Sequence, residues 1–218
     1  MKKRKNIIKI AIDSPAAAGA GTQAKLISKH YNLLQLDTGR LYRYIASIKI
    51  KTPKKFNYKY LRAKVNKLKI KDLKNKELLS DKVATLASIV AKDRKIRKIV
   101  HNFQLKCAYN PPKKYAGSCL DGRDICSVVL PDADVKLFIT ANLKTRTMRR
   151  YKELKVRNDN ITYWEVLESI KRRDKSDKNR KISPLKKTKD SILLNTSNLS
   201  IRRCFLKIKK IIDRKIIN

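Results

Sequence analysis

The sequence predicts an α/β fold with a central parallel β-sheet flanked by helices. Two observations carry that prediction. Short apolar runs recur along the 218 residues and are separated by longer segments of helical spacing. Strands alternating with helices form a parallel sheet, because each helix carries the chain back along the sheet face. The first run, Ile7–Ile12, also leads through a stretch of small residues, 13–22, into the helix-like Gln23–His30. A chain of this length supports one sizeable core, so residues 1–218 are expected to form a single domain.

Taken in order, Leu33–Leu36 is the second strand. It stops at Asp37-Thr38-Gly39, where Gly39 permits a tight turn, and Leu41, Ile45 and Ile48 give helical spacing to about Ile50. Residues 49–77 are rich in Lys and Arg and hold only Asp72 and Glu77 as acids. With Leu61, Val65, Leu68, Ile70 and Leu73 at loose intervals, they read as a peripheral, partly helical insertion with a solvated charged face. Ser80 is the expected N-cap of a helix through Ala91, with Val83, Leu86, Ala87 and Val90 on one side. A second helix, Arg94 to Tyr109, should bury Ile96, Ile99, Val100 and Phe103 and end at Asn110-Pro111-Pro112.

Ala116–Leu120 is a short buried strand that stops at Asp121-Gly122-Arg123-Asp124. Val135–Thr140 is the next strand, and Leu143 to Lys155 a helix carrying Arg146, Arg149 and Arg150. Residues 164–181 form a charged helix or lid with Arg172, Arg173, Asp174, Asp177, Asn179 and Arg180 in close series. Ser191–Leu194 is the last strand, and Ser200–Ile217 an amphipathic helix with Ile201, Phe205, Ile208, Ile212 and Ile216 on its apolar face.

Composition excludes several function classes. Cys107, Cys119, Cys126 and Cys204 show no C-x-x-C spacing, and His30 and His101 lie far from them, which argues against a zinc site. Scattered cysteines read as reduced, and the expected location is cytoplasmic. Met1–Lys5 is basic like the start of a signal peptide, but the apolar run after it is too short for one. No stretch approaches the ~20 apolar residues of a membrane span. The net charge of +38 would attract phosphate-bearing ligands. The basic residues are not gathered into one tail and aromatics are only 6%, so a nucleic-acid partner is possible but not favoured, and no protein partner is evident; a monomer is expected.

The small-residue stretch carries the first chemistry. Strand, loop of small side chains, helix is the context in which backbone N–H groups and the helix dipole hold a phosphate. Against the phosphate-loop pattern G-x-x-x-x-G-K-[ST], Ser14 stands at the first Gly, Gly19 fits, Ala20 stands at the Lys, and Gly21 takes the hydroxyl position with Thr22 after it. Alone, the loop admits two readings, a phosphate cradle and an ordinary strand-to-helix turn.

Further motifs lie in order along the chain. They are Ala11–Ala16 with Gly19, Gly21 and Thr22; Leu36–Gly39 with Leu41-Tyr42-Arg43; Ala87-Ser88 with Val90-Ala91 and Arg97; and Asp121–Asp124 with Val128-Val129 and Pro131-Asp132-Ala133. Arg146 with Arg149-Arg150-Tyr151 follows, then Arg173-Asp174, Asp177, Asn179-Arg180 and Ser183-Pro184-Leu185. Over nearly its whole length the chain resembles bacterial cytidylate kinase, a nucleoside monophosphate kinase.

The resemblance implies a P-loop kinase fold with an acceptor-binding subregion at 38–110, which includes the basic stretch 49–78, and a lid at 146–189. It implies transfer of the γ-phosphoryl group of ATP to CMP or dCMP with Mg²⁺. Ser14, Pro15, Ala16, Ala17, Ala18, Gly19, Ala20, Gly21 and Thr22 would hold the ATP phosphates, with the Thr22 hydroxyl near Mg²⁺ and Asp121 in the metal's outer shell. Arg43 and Arg123 would grip the CMP phosphate, since a planar guanidinium matches phosphate oxygens. Ser88, Arg97 and Asp124 would read the cytosine edge, Asp177 would hold the sugar hydroxyls, and Thr38 and Tyr42 would line the pocket. Arg146, Arg173 and Arg180 would be the lid cations closing over the transferred group.

The chain departs from the family pattern at Ala20 for Lys, at Ser14 and Ala17 for glycines, at Cys126-Ser127 for Gly-Thr and at Asn195 for Asp. Residues 51–78 are also shorter than the insertion bacterial members carry. The loss of the loop lysine keeps two alternatives open: a weakened or silent relative that binds nucleotide or RNA, and a kinase of broader UMP/CMP specificity.

Overall fold

The computed structural model describes residues 7–156 and 159–216, the side chain of Asp81 excepted. The basic start Met1–Lys5 and the expected helix end at Ile217 lie outside the described residues. Five parallel strands form one sheet: β1 (Ile8–Asp13), β2 (Leu33–Asp37), β3 (Gly117–Gly122), β4 (Val135–Thr140) and β5 (Ile192–Asn195), in the order β2-β3-β1-β4-β5. Register places Asp13 beside Gly122 and Asp37 beside Asp121, so the carboxyl ends of the three strands finish level. In an open parallel sheet that edge is where ligands bind.

Side-chain alternation along each strand divides the core. Ala11, Leu34, Leu36 and Leu120 face one layer; Ile10, Ile12, Cys119, Leu137 and Ile139 face the other. The first layer holds α2 (Thr38–Lys51), α3 (Tyr58–Asn66), α4 (Asp81–Val90) and α5 (Arg94–Tyr109); the second holds α1 (Ala20–His30) and α8 (Ile201–Ile216). The pair α6 (Leu143–Lys155) and α7 (Tyr163–Asn179) packs together beside the carboxyl edge.

Several expectations are adjusted. α1 starts at Ala20, earlier than Gln23, because Gly19 at φ 91° takes the left-handed conformation that opens the helix. Gly39 makes no turn: α2 begins at Thr38, and the Asp37 carboxylate caps it by accepting from the Arg40 N–H at 3.3 Å. The basic insertion is less peripheral than its charge suggests. Its lysines are mostly exposed, but Leu61, Val65, Leu68 and Leu73 are buried in the same layer as the sheet residues. Ser80 caps α4 as expected, its Oγ accepting from Val83 N. Phe103 is half-buried where full burial was expected. A π-type turn at Ile125–Val129 joins β3 to β4, anchored by Asp13, whose two carboxylate oxygens accept from Ile125 N at 2.8 Å and Cys126 N at 2.9 Å. No described helix is long and apolar enough to cross a membrane.

Candidate active site

A cleft of about 720 Å³ opens along the carboxyl edge of the sheet. One wall is the loop after β1. Ser14, Pro15 and Ala17 through Thr22 line it, while Ala16 does not. Ala16 is held from behind: its N–H donates to Asp174 Oδ1 at 3.3 Å, and its carbonyl accepts from Arg146 Nη1 at 3.0 Å. Arg146 also donates to Ala141 O and pairs with Asp174 at 2.6 Å. It is buried and does not line the cleft, so in this conformation it braces the loop and does not serve as the facing cation the resemblance implied.

The glycine replacements act differently. Ala17 sits at φ 57°, in the region that favours glycine, whereas Ser14 keeps an ordinary φ and donates its N–H to Gly122 O at 3.2 Å. Of the other departures, Cys126 supplies a backbone donor to Asp13, and Asn195 Oδ1 accepts from the N–H and Oγ of Ser197.

The far wall comes from α2 and α4. Thr38, Tyr42 and Arg43 on α2 and Ser88 on α4 line the cleft. Thr38 Oγ1 donates to Asp121 O at 2.8 Å, and a side chain on Gly122 would collide with that hydroxyl, which explains the glycine in the Asp-Gly-Arg-Asp segment. Arg43 Nη1 donates to Leu78 O at 2.8 Å; burial first, then the like charge of Arg150, lowers its pKa. Ser88 Oγ donates to Thr85 O within its own helix and keeps its lone pairs available.

Between the walls lies a charge network. Arg123 Nε donates to Asp177 Oδ2 at 2.8 Å. Asp177 also faces Arg173 at 4.0 Å and Arg180 at 3.9 Å. Asp124 is buried, pairs with Arg97 and lies 3.8 Å from Arg180. Arg97 does not line the cleft: it donates to Ala91 O and stacks over the Tyr42 ring at 5.5 Å, which fixes Asp124 and Tyr42 together. Arg180 is buried, its Nη2 has no hydrogen-bond partner, and burial lowers its pKa.

Asp121 completes the floor. Its Oδ2 lies 3.6 Å from where a Cβ on Gly21 would sit, against the loop, and its Oδ1 is buried without a partner. Burial and the like charge of Asp37 push its carboxyl well above the usual carboxylate range. Asp37 is also at the cleft, and the sequence marks it only as part of a motif. Arg149 and Lys152 on α6 also line the cleft; the sequence assigns neither a role and gives Asp174 only as part of its Arg-Asp pair. Adjacency in the register between β2 and β3 was needed to single out Asp37, and no sequence spacing carries that.

Comparison with known proteins decides the family. The cytidylate kinase family model matches residues 10–214. The chain belongs to the cytidylate kinase family. The cytidylate kinase of Clostridium tetani is 40% identical over 223 residues, covering 95% of both chains. Those of Bartonella bacilliformis and Azorhizobium caulinodans are 40% and 38% identical over 205 residues, covering 94% of this chain and 94% and 98% of theirs. A crystal structure of an uncharacterized protein from Eubacterium ventriosum aligns with a TM-score of 0.56 at 20% identity, over 94% of this chain and 98% of that one, and shares the fold. Within the cytidylate kinase frame, the P-loop kinase sheet expected from sequence is present, with the loop at the end of its central strand.

Proposed function

We infer that this member of the cytidylate kinase family transfers the γ-phosphoryl group of ATP to CMP or dCMP, giving CDP or dCDP. One observation supports the reading most: a single cleft joins a phosphate-type loop to Arg43 on the acceptor wall and to Arg123, Arg173 and Arg180 around Asp124 and Asp177. Phosphoryl transfer needs two phosphate-bearing molecules aligned and the charge on the migrating group neutralised, and little covalent chemistry from the protein.

ATP lies with its phosphates on residues 14–22, where backbone N–H groups and the start of α1 favour anions. CMP lies on the α2–α4 wall. Arg43 and Arg123 take its phosphate. Asp124, held by Arg97, accepts from the cytosine amino group while Ser88 completes the edge, Arg97 acting through the carboxylate it positions; Asp177 faces the sugar. Residues 38–110 form the acceptor-binding subregion. Residues 146–189 act as the lid, closing Arg173 and Arg180 over the transferred group and excluding water. Arg146 brings the loop along by its tie to Ala16. Residues 157 and 158 of this span lie outside the described residues.

The floor suits Mg²⁺. That ion takes one or two carboxylates together with substrate phosphates and waters, and Asp121 offers a buried, unpartnered carboxylate oxygen with Asp37 beside it. Thr22 and Asp121, with Asp37, would hold the ion, which when bound neutralises charge on the donor phosphates. Among the described residues no cluster of three or more His, Cys, Asp or Glu is placed to hold a metal ion.

The test is a coupled assay of purified protein with ATP over a panel of nucleoside monophosphates. CMP and dCMP are the expected acceptors; preference for AMP or GMP would sink the reading. In parallel, Arg123→Ala should weaken CMP binding by about 10²-fold, the loss typical of removing a charge-assisted contact. Unchanged CMP affinity would displace the acceptor phosphate from Arg123.

A further inference from the structure

The loop lacks a cation of its own. Ala20 stands where the phosphate-loop pattern places a lysine, and its methyl is buried against the second core layer. The charge must come from elsewhere if the donor phosphates are to be held. Among cleft arginines, Arg123 and Arg180 face Asp177, Arg180 also faces Asp124, and Arg173 faces Asp177. Arg43 is tied to Leu78 O on the acceptor wall.

Arg149 is different in both place and partners. It rises from α6 onto the loop: Nη1 donates to Ala18 O at 3.4 Å and lies 3.7 Å from where a Cβ on Gly19 would sit. Its remaining bonds go to Thr196, from Nη1 to Oγ1 at 3.0 Å and from Nη2 to the carbonyl at 2.7 Å. Thr196 Oγ1 in turn donates to Ala18 O at 3.1 Å. All of these acceptors are neutral. A half-buried guanidinium is thus fixed beside the two residues that precede Ala20, with no described carboxylate paired to it. Gly19, without a side chain, leaves the space between the guanidinium and the cleft open.

We propose that Arg149 supplies the donor-phosphate cation that Ala20 does not, gripping the ATP phosphates from α6 and not from the loop. The proposal rests on the ATP-dependent reading above. A guanidinium pre-positioned by Thr196 would do the work of a lysine point charge.

The experiment is a double-mutant cycle at Arg149 and Ala20, read by equilibrium displacement of a fluorescent ATP analogue and by steady-state kinetics. Arg149→Ala should weaken ATP binding and lower kcat/KM for ATP by about 10²-fold, the range for losing one preorganised donor. CMP affinity should hold. Ala20→Lys should recover about tenfold or more in the Arg149→Ala background and change the wild type by much less, so the pair is coupled. A lysine at 20 restores charge but not the bonds to Ala18 and Thr196, so recovery separates a phosphate role from bracing of the loop. If Arg149→Ala leaves ATP affinity within about threefold, or Ala20→Lys has the same effect in both backgrounds, the proposal falls. Should Arg149→Ala fail to fold, Arg149→Gln tests the same charge while retaining donors to Thr196. Failure of the kinase reading is distinct: wild type would bind ATP yet phosphorylate no monophosphate, and the binding arm of the cycle would still decide Arg149.

Discussion

Ala17 holds the backbone of the phosphate loop at φ 57°, a conformation that costs an L-residue about 1–2 kcal/mol. It lies in a loop whose neighbour Ala16 is clamped by Arg146 and Asp174, so the surroundings impose the angle. Ala17→Gly should therefore raise unfolding stability by about 1 kcal/mol, the relief being partly offset by the greater freedom of glycine in the unfolded chain. Urea titration would show it; an unchanged midpoint would mean that the loop relaxes without strain. Asp13 stores energy in another form. Burial lifts its pKa to about 6 against the pull of the Ile125 and Cys126 N–H groups, with Asp124 adding to the lift. Its folded pKa exceeds the unfolded value, so the contribution to stability is complete below about pH 4 and is lost as pH rises through about 6, some ~3 kcal/mol in all. Carboxyl-carbon NMR should place the Asp13 midpoint near pH 6, and a midpoint below 4 would show that the two backbone donors outweigh burial.

At the scale of elements, local rules were legible and long-range partnership was not. Ser80 before an apolar-periodic stretch marked α4, and Asn110-Pro111-Pro112 marked the end of α5, because caps and breakers act within a few residues. The start of α2 lies earlier than the turn signal of Gly39 suggests, because Asp37 competes locally as an N-cap and prevails. In the site, Arg123, Asp124, Asp177 and Arg180 were named from their motifs and do meet at one cleft. Arg146 and Arg97 belong to motifs of their own, yet folding turns them to brace the loop and Asp124; only the packing of α6 and α5 decides that. The basic insertion shows the same limit. Its lysine content suggested an appendage, but Leu61 is fully buried in the layer that carries Tyr42 of the acceptor wall. Leu61→Ala should cost about 2–5 kcal/mol, as for a core leucine. Thermal denaturation checks this, and a loss under about 1 kcal/mol would return the insertion to the periphery.

For the whole molecule the net charge of +38 is a field as well as a composition. Most of the lysines are exposed on several helices, so the field is spread over the surface, whereas the arginines of the cleft are held in geometry by Asp124, Asp177, Leu78 and Thr196. These two populations should respond differently to salt. Exposed charges are screened once separations exceed the Debye length, about 10 Å at 0.1 M salt and about 3 Å at 1 M. Contacts made inside the cleft are screened much less. Nucleotide capture, which depends on the outer field, should weaken with ionic strength, and the step after binding should not. Between low and high KCl, kcat/KM for ATP is expected to fall by about tenfold, the lower end of electrostatic steering, while kcat stays within about threefold. Steady-state kinetics across a KCl series would measure both. A parallel fall in kcat would mean that surface charge also acts during lid closure or transfer; a flat kcat/KM would mean that the excess of lysine has no part in bringing anionic substrates to the cleft.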